Sequence, residues 1–137
     1  MPNWCENTLY VSGPEDVLND FLNKFDPGET GEFLFNNLLP VPEDIEDERA
    51  WKINNWGVKW EPSNLRYTVM DKNSVKFEFE TPWGAPIDII YTMSDEFPEL
   101  EFDLRYLEDS IMNTKERVII EKGERQLWME KKWEVIT

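Results

Sequence analysis

Alternating apolar and polar positions in the middle of the chain predict a β-hairpin. In residues 65–70, Leu65, Tyr67 and Val69 alternate with the other three residues, and in residues 75–80 apolar positions alternate with charged ones in the same way. A period of two is that of a strand with one buried face. Asp71–Asn73 lies between the two runs and has the composition of a tight turn. We therefore expect residues 65–70 and 75–80 to form adjacent antiparallel strands.

Apolar residues at helical spacing predict two amphipathic helices. Residues 17–25 place their apolar side chains on one helical stripe, and residues 87–97 show the same spacing. The stretch Ser12–Asp16 supplies a capping residue, a proline and two acids, all typical of a helix start. Shorter runs of strand-forming residues at 8–11 and 100–106 predict two more strands.

The order of these elements predicts an α+β fold of the ferredoxin-like type. Read along the chain it is β-α-insertion-β-β-α-β, the split βαβ arrangement, with two helices on one face of an antiparallel sheet. We expect residues 1–137 to form one domain, with residues 27–64 as an insertion that packs on it and contains a short helix at 50–53. Residues 117–122 and 126–135 are expected to add two C-terminal strands.

The charge balance favours a basic partner. The chain has 14 basic and 29 acidic residues, which gives a formal net charge of −15. Such a field repels phosphate backbones and anionic membranes, so neither nucleic-acid nor membrane binding is expected. No apolar run approaches the ~20 residues needed to span a bilayer, and the chain shows no secretory signal. We expect a cytoplasmic protein.

Histidine is absent and Cys5 is the single cysteine, which excludes many kinds of catalytic site. Triads based on histidine, zinc sites of the HExxH type and iron–sulfur clusters all need residues that this chain lacks. Glu61 and Glu80 lie near tryptophans and are the obvious carboxylate pair for sugar chemistry. With so many acids, their proximity to tryptophan is expected by chance. We expect no enzyme, no cofactor and no metal site.

Three short motifs hold four of the seven tryptophans beside proline or glycine. They are Met1–Asn7, Trp56–Trp60 and Thr81–Pro86. Two interpretations remain open: the tryptophans form a recognition surface, with a lysine as its charged contact, or they plug one end of the sheet. The candidate binding residues are Trp4, Trp56, Lys59, Trp60 and Trp83.

These motifs resemble the YubB-like proteins with a ferredoxin-like domain, which bacteriophages and conjugative plasmids encode. The resemblance covers Met1–Asn7, Leu39–Pro42, Trp56–Trp60 and Phe79–Pro86, in the family's order over about two-thirds of the chain. Three residues depart from those common in the family, and the C-terminal third is divergent. The departing residues are Val58, Glu61 and Pro82. The resemblance implies the fold and an origin in a mobile element, and it implies no activity.

The resulting functional hypothesis is a small, acidic, non-enzymatic protein of phage or plasmid type. It would bind the basic surface of a host protein and thereby modulate host defence or metabolism. One alternative is a nucleic-acid mimic that inhibits a restriction or CRISPR-type nuclease. Another is an aromatic pocket that binds a carbohydrate or nucleotide.

Overall fold

The computed structural model describes residues 4–25, 35–108, 114–121, 124–126 and 132–133. Within these ranges the chain forms four helices and seven strands in an α+β arrangement. In chain order the elements are β1 Trp4–Ser12, α1 Glu15–Phe25, α2 Phe35–Leu38, α3 Glu48–Trp56, β2 Ser63–Asp71, β3 Ser74–Pro82, α4 Ile87–Glu96, β4 Glu101–Glu108, β5 Thr114–Glu121, β6 Glu124–Gln126 and β7 Lys132–Trp133.

The strands form one antiparallel sheet in the order β2-β3-β1-β4-β5-β6, and β7 pairs with β5. The predicted hairpin is confirmed, because β2 pairs with β3 and Val69 lies opposite Val75. The order β2-β3-β1-β4 is that of the ferredoxin-like fold, so the predicted fold class is also confirmed. The N-terminal strand β1 lies in the middle, between β3 and β4.

One face of the sheet forms the floor of the hydrophobic core. On β1 the buried side chains alternate with more exposed ones. Leu9 lies opposite Phe77 on one side and Leu104 on the other, and Leu104 lies opposite Val118 on β5. All four are buried. Because residues opposite each other in a sheet share a face, this register makes one continuous apolar layer.

Helices α1 and α4 cover that layer. Phe21 of α1 is fully buried, and its ring centroid lies 6.4 Å from that of Phe77 and 5.5 Å from that of Phe102. It also meets Phe97, just past α4, edge-on at 5.3 Å. Offset or edge-to-face rings at such distances are favourable beyond the area they bury. Phe21 therefore joins both helices to the two strands that flank the sheet centre.

The described part of the predicted insertion, residues 35–64, packs on this core through α2 and α3. The helix expected at 50–53 is longer, because Asp47 caps it and accepts a hydrogen bond of 3.0 Å from the Ala50 amide. It ends at Gly57, whose φ of +87° lies in the left-handed region that favours glycine. A Cβ there would lie 3.3 Å from the Asp88 amide nitrogen, so Gly57 allows close contact with the start of α4.

The C-terminal strands differ from the expectation in their lengths. The predicted strand 117–122 is present as β5, which begins three residues earlier, at Thr114. The predicted strand 126–135 lies largely outside the described residues. Its described portions are the last residue of β6 and the two residues of β7, and both of these short strands pair with β5.

We predict that Phe21→Ala lowers the free energy of unfolding by about 3–5 kcal/mol, because it leaves a cavity between the helices and the sheet. Urea denaturation followed by circular dichroism measures this loss. Asn19→Ala on the exposed side of α1 is the control and should change stability by less than about 0.5 kcal/mol. Similar losses for both variants would contradict the position of Phe21 in the core.

Candidate functional site

The three tryptophan motifs meet at one end of the sheet. Trp4, at the start of β1, lies opposite Pro82 at the end of β3. The ring of Trp60 lies 5.9 Å from that of Trp4. Since Trp83 directly follows Pro82, the sheet brings Trp4, Trp60 and Trp83 to the same end, although up to 79 residues separate them in sequence.

Trp56 belongs to the core, and its proposed place on a binding surface is wrong. Its side chain is 1% exposed, and its ring meets that of Phe35 edge-on at 5.8 Å. The indole N–H donates a hydrogen bond of 2.9 Å to the backbone carbonyl of Leu39. A buried tryptophan needs such an acceptor, and here the main chain supplies it. For Trp56, the plug interpretation is therefore the one that fits.

Trp60 is accessible and carries a cation over its ring. It is 43% exposed, and the Nζ atom of Lys59 lies 4.5 Å from its ring centroid. Trp4 is half-buried beside it, at an interplanar angle of 42°. This contact shows that the exposed ring face accepts a cationic group.

Trp83 is the most unusual residue at this end. It is 60% exposed and has a φ of +68°, which is rare for a bulky side chain. A non-glycine residue in this conformation is strained by roughly 1–2 kcal/mol. We call Trp4, Lys59, Trp60 and Trp83 together the tryptophan surface.

A chain of buried hydrogen bonds stabilises the corner of the backbone at Trp83. The side-chain amide of Asn7 donates hydrogen bonds to the Thr81 hydroxyl at 2.9 Å and to the Cys5 carbonyl at 3.2 Å. The Thr81 hydroxyl in turn donates to the Gly84 carbonyl at 2.6 Å. Asn7 and Thr81 are both buried. The sequence did not assign this role to Asn7, although its position two residues after Cys5 on a strand places both side chains on one face.

Each of the two carboxylates considered for catalysis accepts hydrogen bonds from a different part of the chain. Glu61 accepts hydrogen bonds from the backbone amides of Phe35 and Asn36 at the start of α2. Glu80 accepts one from the side-chain amide of Asn64 at 3.0 Å. Glu61 thus stabilises the insertion, because its charge satisfies amides that the helix leaves without partners.

An acidic trough lies on the open face of the sheet, opposite the helices. It has a volume of about 580 Å³. Glu6 and Glu80 face each other across β1 and β3, and Glu78 lies one pleat further along β3. Along β1 and β3, these residues lie two to four positions from the Trp4–Pro82 pair. The trough is lined by Glu6, Asn7, Thr8, Asn64, Leu65, Arg66, Glu78, Phe79 and Glu80.

The described residues hold neither a cluster of metal ligands nor a membrane-spanning helix. They contain no group of three or more Cys, Asp or Glu side chains placed to hold a metal ion. Within the same ranges, no helix is both long and apolar enough to cross a membrane.

Comparison with known proteins supports this fold. The family model described as "Ferredoxin-like domain in Api92-like protein" matches residues 55–135. The crystal structure of the protein api92 from Yersinia pseudotuberculosis is similar, with a TM-score of 0.74 and 8% sequence identity over 92% of this chain and 96% of that one. At such low identity, the likeness supports the fold alone. No curated protein matches the sequence.

We predict that Trp83→Gly is more stable than Trp83→Ala by about 1 kcal/mol, because only glycine adopts a positive φ without strain. Urea denaturation of the two variants measures the difference. At an ordinary loop position the order is reversed, since alanine restricts the unfolded chain by about 0.4–1 kcal/mol. A more stable alanine variant would therefore contradict the strained backbone at this corner.

Proposed function

This chain belongs to the family of the ferredoxin-like domain in Api92-like protein, and we propose that it is a non-enzymatic protein that binds a basic segment of another protein. The tryptophan surface is the contact site in this proposal. The acidic trough beside it receives the positive side chains of the partner.

The observation that carries the proposal is the combination of strain and exposure at Trp83. A side chain that is 60% exposed contributes little to the core. Its backbone conformation would be more favourable with glycine. The fold therefore gains nothing evident from a tryptophan at this position, and strained residues of this kind concentrate at functional sites. Tryptophan is also enriched among the residues that dominate binding energies at interfaces.

The charges around the site favour a partner rich in arginine or lysine. Glu6, Glu78 and Glu80 lie on the face reached from Trp4, and the whole chain carries a net charge of −15. Lys59 already lies over the ring of Trp60, which is the geometry that an incoming cation would adopt on the exposed rings. Long-range attraction would steer a basic partner to this end of the protein.

The open face of the sheet favours this proposal over nucleic-acid mimicry. A mimic needs an unbroken series of negative charges, whereas β3 presents Lys76 next to Glu78 at 3.6 Å. Further along the same face, Arg105 and Arg117 lie opposite each other on β4 and β5. Both arginines contact the Asp103 carboxylate, so this part of the face offers no series of free negative charges to the basic groove of a nuclease.

The resemblance to YubB-like proteins of phages and plasmids supports a bacterial host protein as the partner. In this proposal the chain acts in the host cytoplasm and modulates host defence or metabolism. The absence of histidine and the structural engagement of Glu61 and Glu80 support a role in binding and not in catalysis.

We predict that Trp83→Ala and Trp60→Ala each reduce capture of the partner from a bacterial lysate at least tenfold. Both side chains are substantially exposed, so the melting temperature should change little. Affinity capture with quantitative mass spectrometry measures the loss. Ile53→Ala removes an exposed apolar side chain on α3 and is the control, expected to retain capture. Equal capture by all variants would exclude the tryptophan surface as the contact site.

We further predict that Glu6→Gln with Glu80→Gln slows association with the captured partner, and that added salt slows the unmodified protein in the same way. Glutamine keeps an acceptor oxygen for Asn64 while removing the charge. Glu43→Gln with Glu46→Gln removes equal charge from the exposed acidic run and is the control. Biosensor on-rates between 50 and 500 mM NaCl test this. If both double variants slow association equally, the partner is attracted by the net charge of the protein and not by the trough.

A further inference from the structure

Strand β2 ends the sheet on one side in the part of the chain that the structure describes. An edge strand presents a row of backbone N–H and C=O groups that can pair with another strand. Soluble proteins usually protect long edges with proline, bulges or inward-pointing charges. β2 is nine residues long and contains no proline, and its pairing with β3 is regular from Arg66 to Val69, with a register shift on either side of that stretch.

Large apolar side chains are unusually exposed on this strand. Tyr67, Val69 and Met70 are 52%, 61% and 56% exposed. Tyr67 and Val69 lie opposite the buried Phe77 and Val75, so they are on the face that the helices cover elsewhere. Their exposure shows that the helix layer stops at β3. Tyr67 and Val69 thus form an apolar ledge beside the core.

Strand β2, which carries the ledge, has no net charge, although the protein as a whole is strongly acidic. β2 contains one basic residue, Arg66, and one acidic residue, Asp71. Arg66 is the fourth residue of the strand and Asp71 is the last. Two copies of β2 aligned antiparallel about Thr68 would therefore place Arg66 of each copy within one residue of the position opposite Asp71 of the other.

We propose that two copies of the chain associate through β2, as antiparallel strands related by a two-fold axis at Thr68. In this register Tyr67 of each copy lies opposite Val69 of the other, on the side of the helices. Pairs of an aromatic and a β-branched residue are favourable neighbours across strands. The two sheets become one continuous sheet, and each ledge covers the other. Such closed two-fold pairing is the commonest form of homo-oligomer.

This association has a distinctive salt dependence. Each copy carries a charge of −15, so the two copies repel each other at long range. Because salt screens this repulsion, the dimer becomes tighter as salt increases. Added salt should instead weaken the binding of a basic partner at the tryptophan surface, because it screens an attraction. The two interactions are therefore distinguishable, and the dimer does not depend on the proposed function.

Sedimentation equilibrium of the full chain tests the proposal between 50 and 500 mM NaCl. We expect the mass to rise from 16.4 kDa towards twice that value, with tighter association at high salt. Thr68→Glu places two carboxylates face to face at the axis and should weaken the dimer at least tenfold. Within one copy the introduced carboxylate faces Lys76 on β3, so the monomer should remain folded. Asn23→Glu adds the same charge on the exposed side of α1 and should leave the dimer within twofold.

A cross-linking experiment tests the register independently. Cys5 is buried, so a cysteine introduced by Thr68→Cys is the accessible thiol. Opposite residues in antiparallel strands bring their Cβ atoms to about 4.5–5.5 Å, close enough for a disulfide after small adjustment. Mild oxidation should convert this variant, but not Asn23→Cys, to a covalent dimer. A monomeric mass at all salt concentrations would overturn the proposal. A dimer that neither Thr68→Glu nor Thr68→Cys affects would also overturn it.

Discussion

The rest of the structure depends on how the buried Asn7 amide is satisfied. Asn7 is a polar residue in the otherwise apolar row that β1 contributes to the core. A shift of one residue in the pairing of β1 would turn that whole row to the open face. A shift by two would keep the row inside but separate the amide from Thr81, and an unsatisfied buried polar group costs about 1–3 kcal/mol. Asn7 therefore makes one register strongly preferred, and the paired strands on both sides follow from it.

The same hydrogen bonds connect the core to the candidate binding surface. The Thr81 hydroxyl that accepts from Asn7 also donates to Gly84, so the corner with Trp83 is anchored from the inside. Gly57 allows the end of α3 to lie against the start of α4, which follows this corner in the chain. An exposed side chain on a rigid corner loses little conformational freedom on binding. Such preorganisation increases affinity without any additional contact.

The sequence was sufficient to predict the fold because its signals are local and periodic. The hairpin of β2 and β3 and the helices α1 and α4 each follow from a pattern within about ten residues. The strand ends beyond residue 114 were less predictable, because β6 and β7 are short and carry no clear alternation. The different environments of Trp56 and Trp60 could not be predicted at all. Both occur in one motif of five residues, and only the position of Phe35 and the Leu39 carbonyl determines which ring is buried.

The central position of β1 also has a consequence for folding during synthesis. Strand β1 leaves the ribosome before both of its partners, β3 and β4, and β4 ends at Glu108. At about 5–20 residues per second, its second partner emerges roughly 5–20 s later. Contacts this distant in sequence form slowly, because a long loop must close before they contribute stability. Until β4 is made, Leu9 and Val11 lie in a strand with at least one unpaired edge, even after β3 has formed. The nascent chain is therefore most prone to aggregate before β4 is made, and a truncation that removes β4 should leave that edge of β1 permanently unpaired.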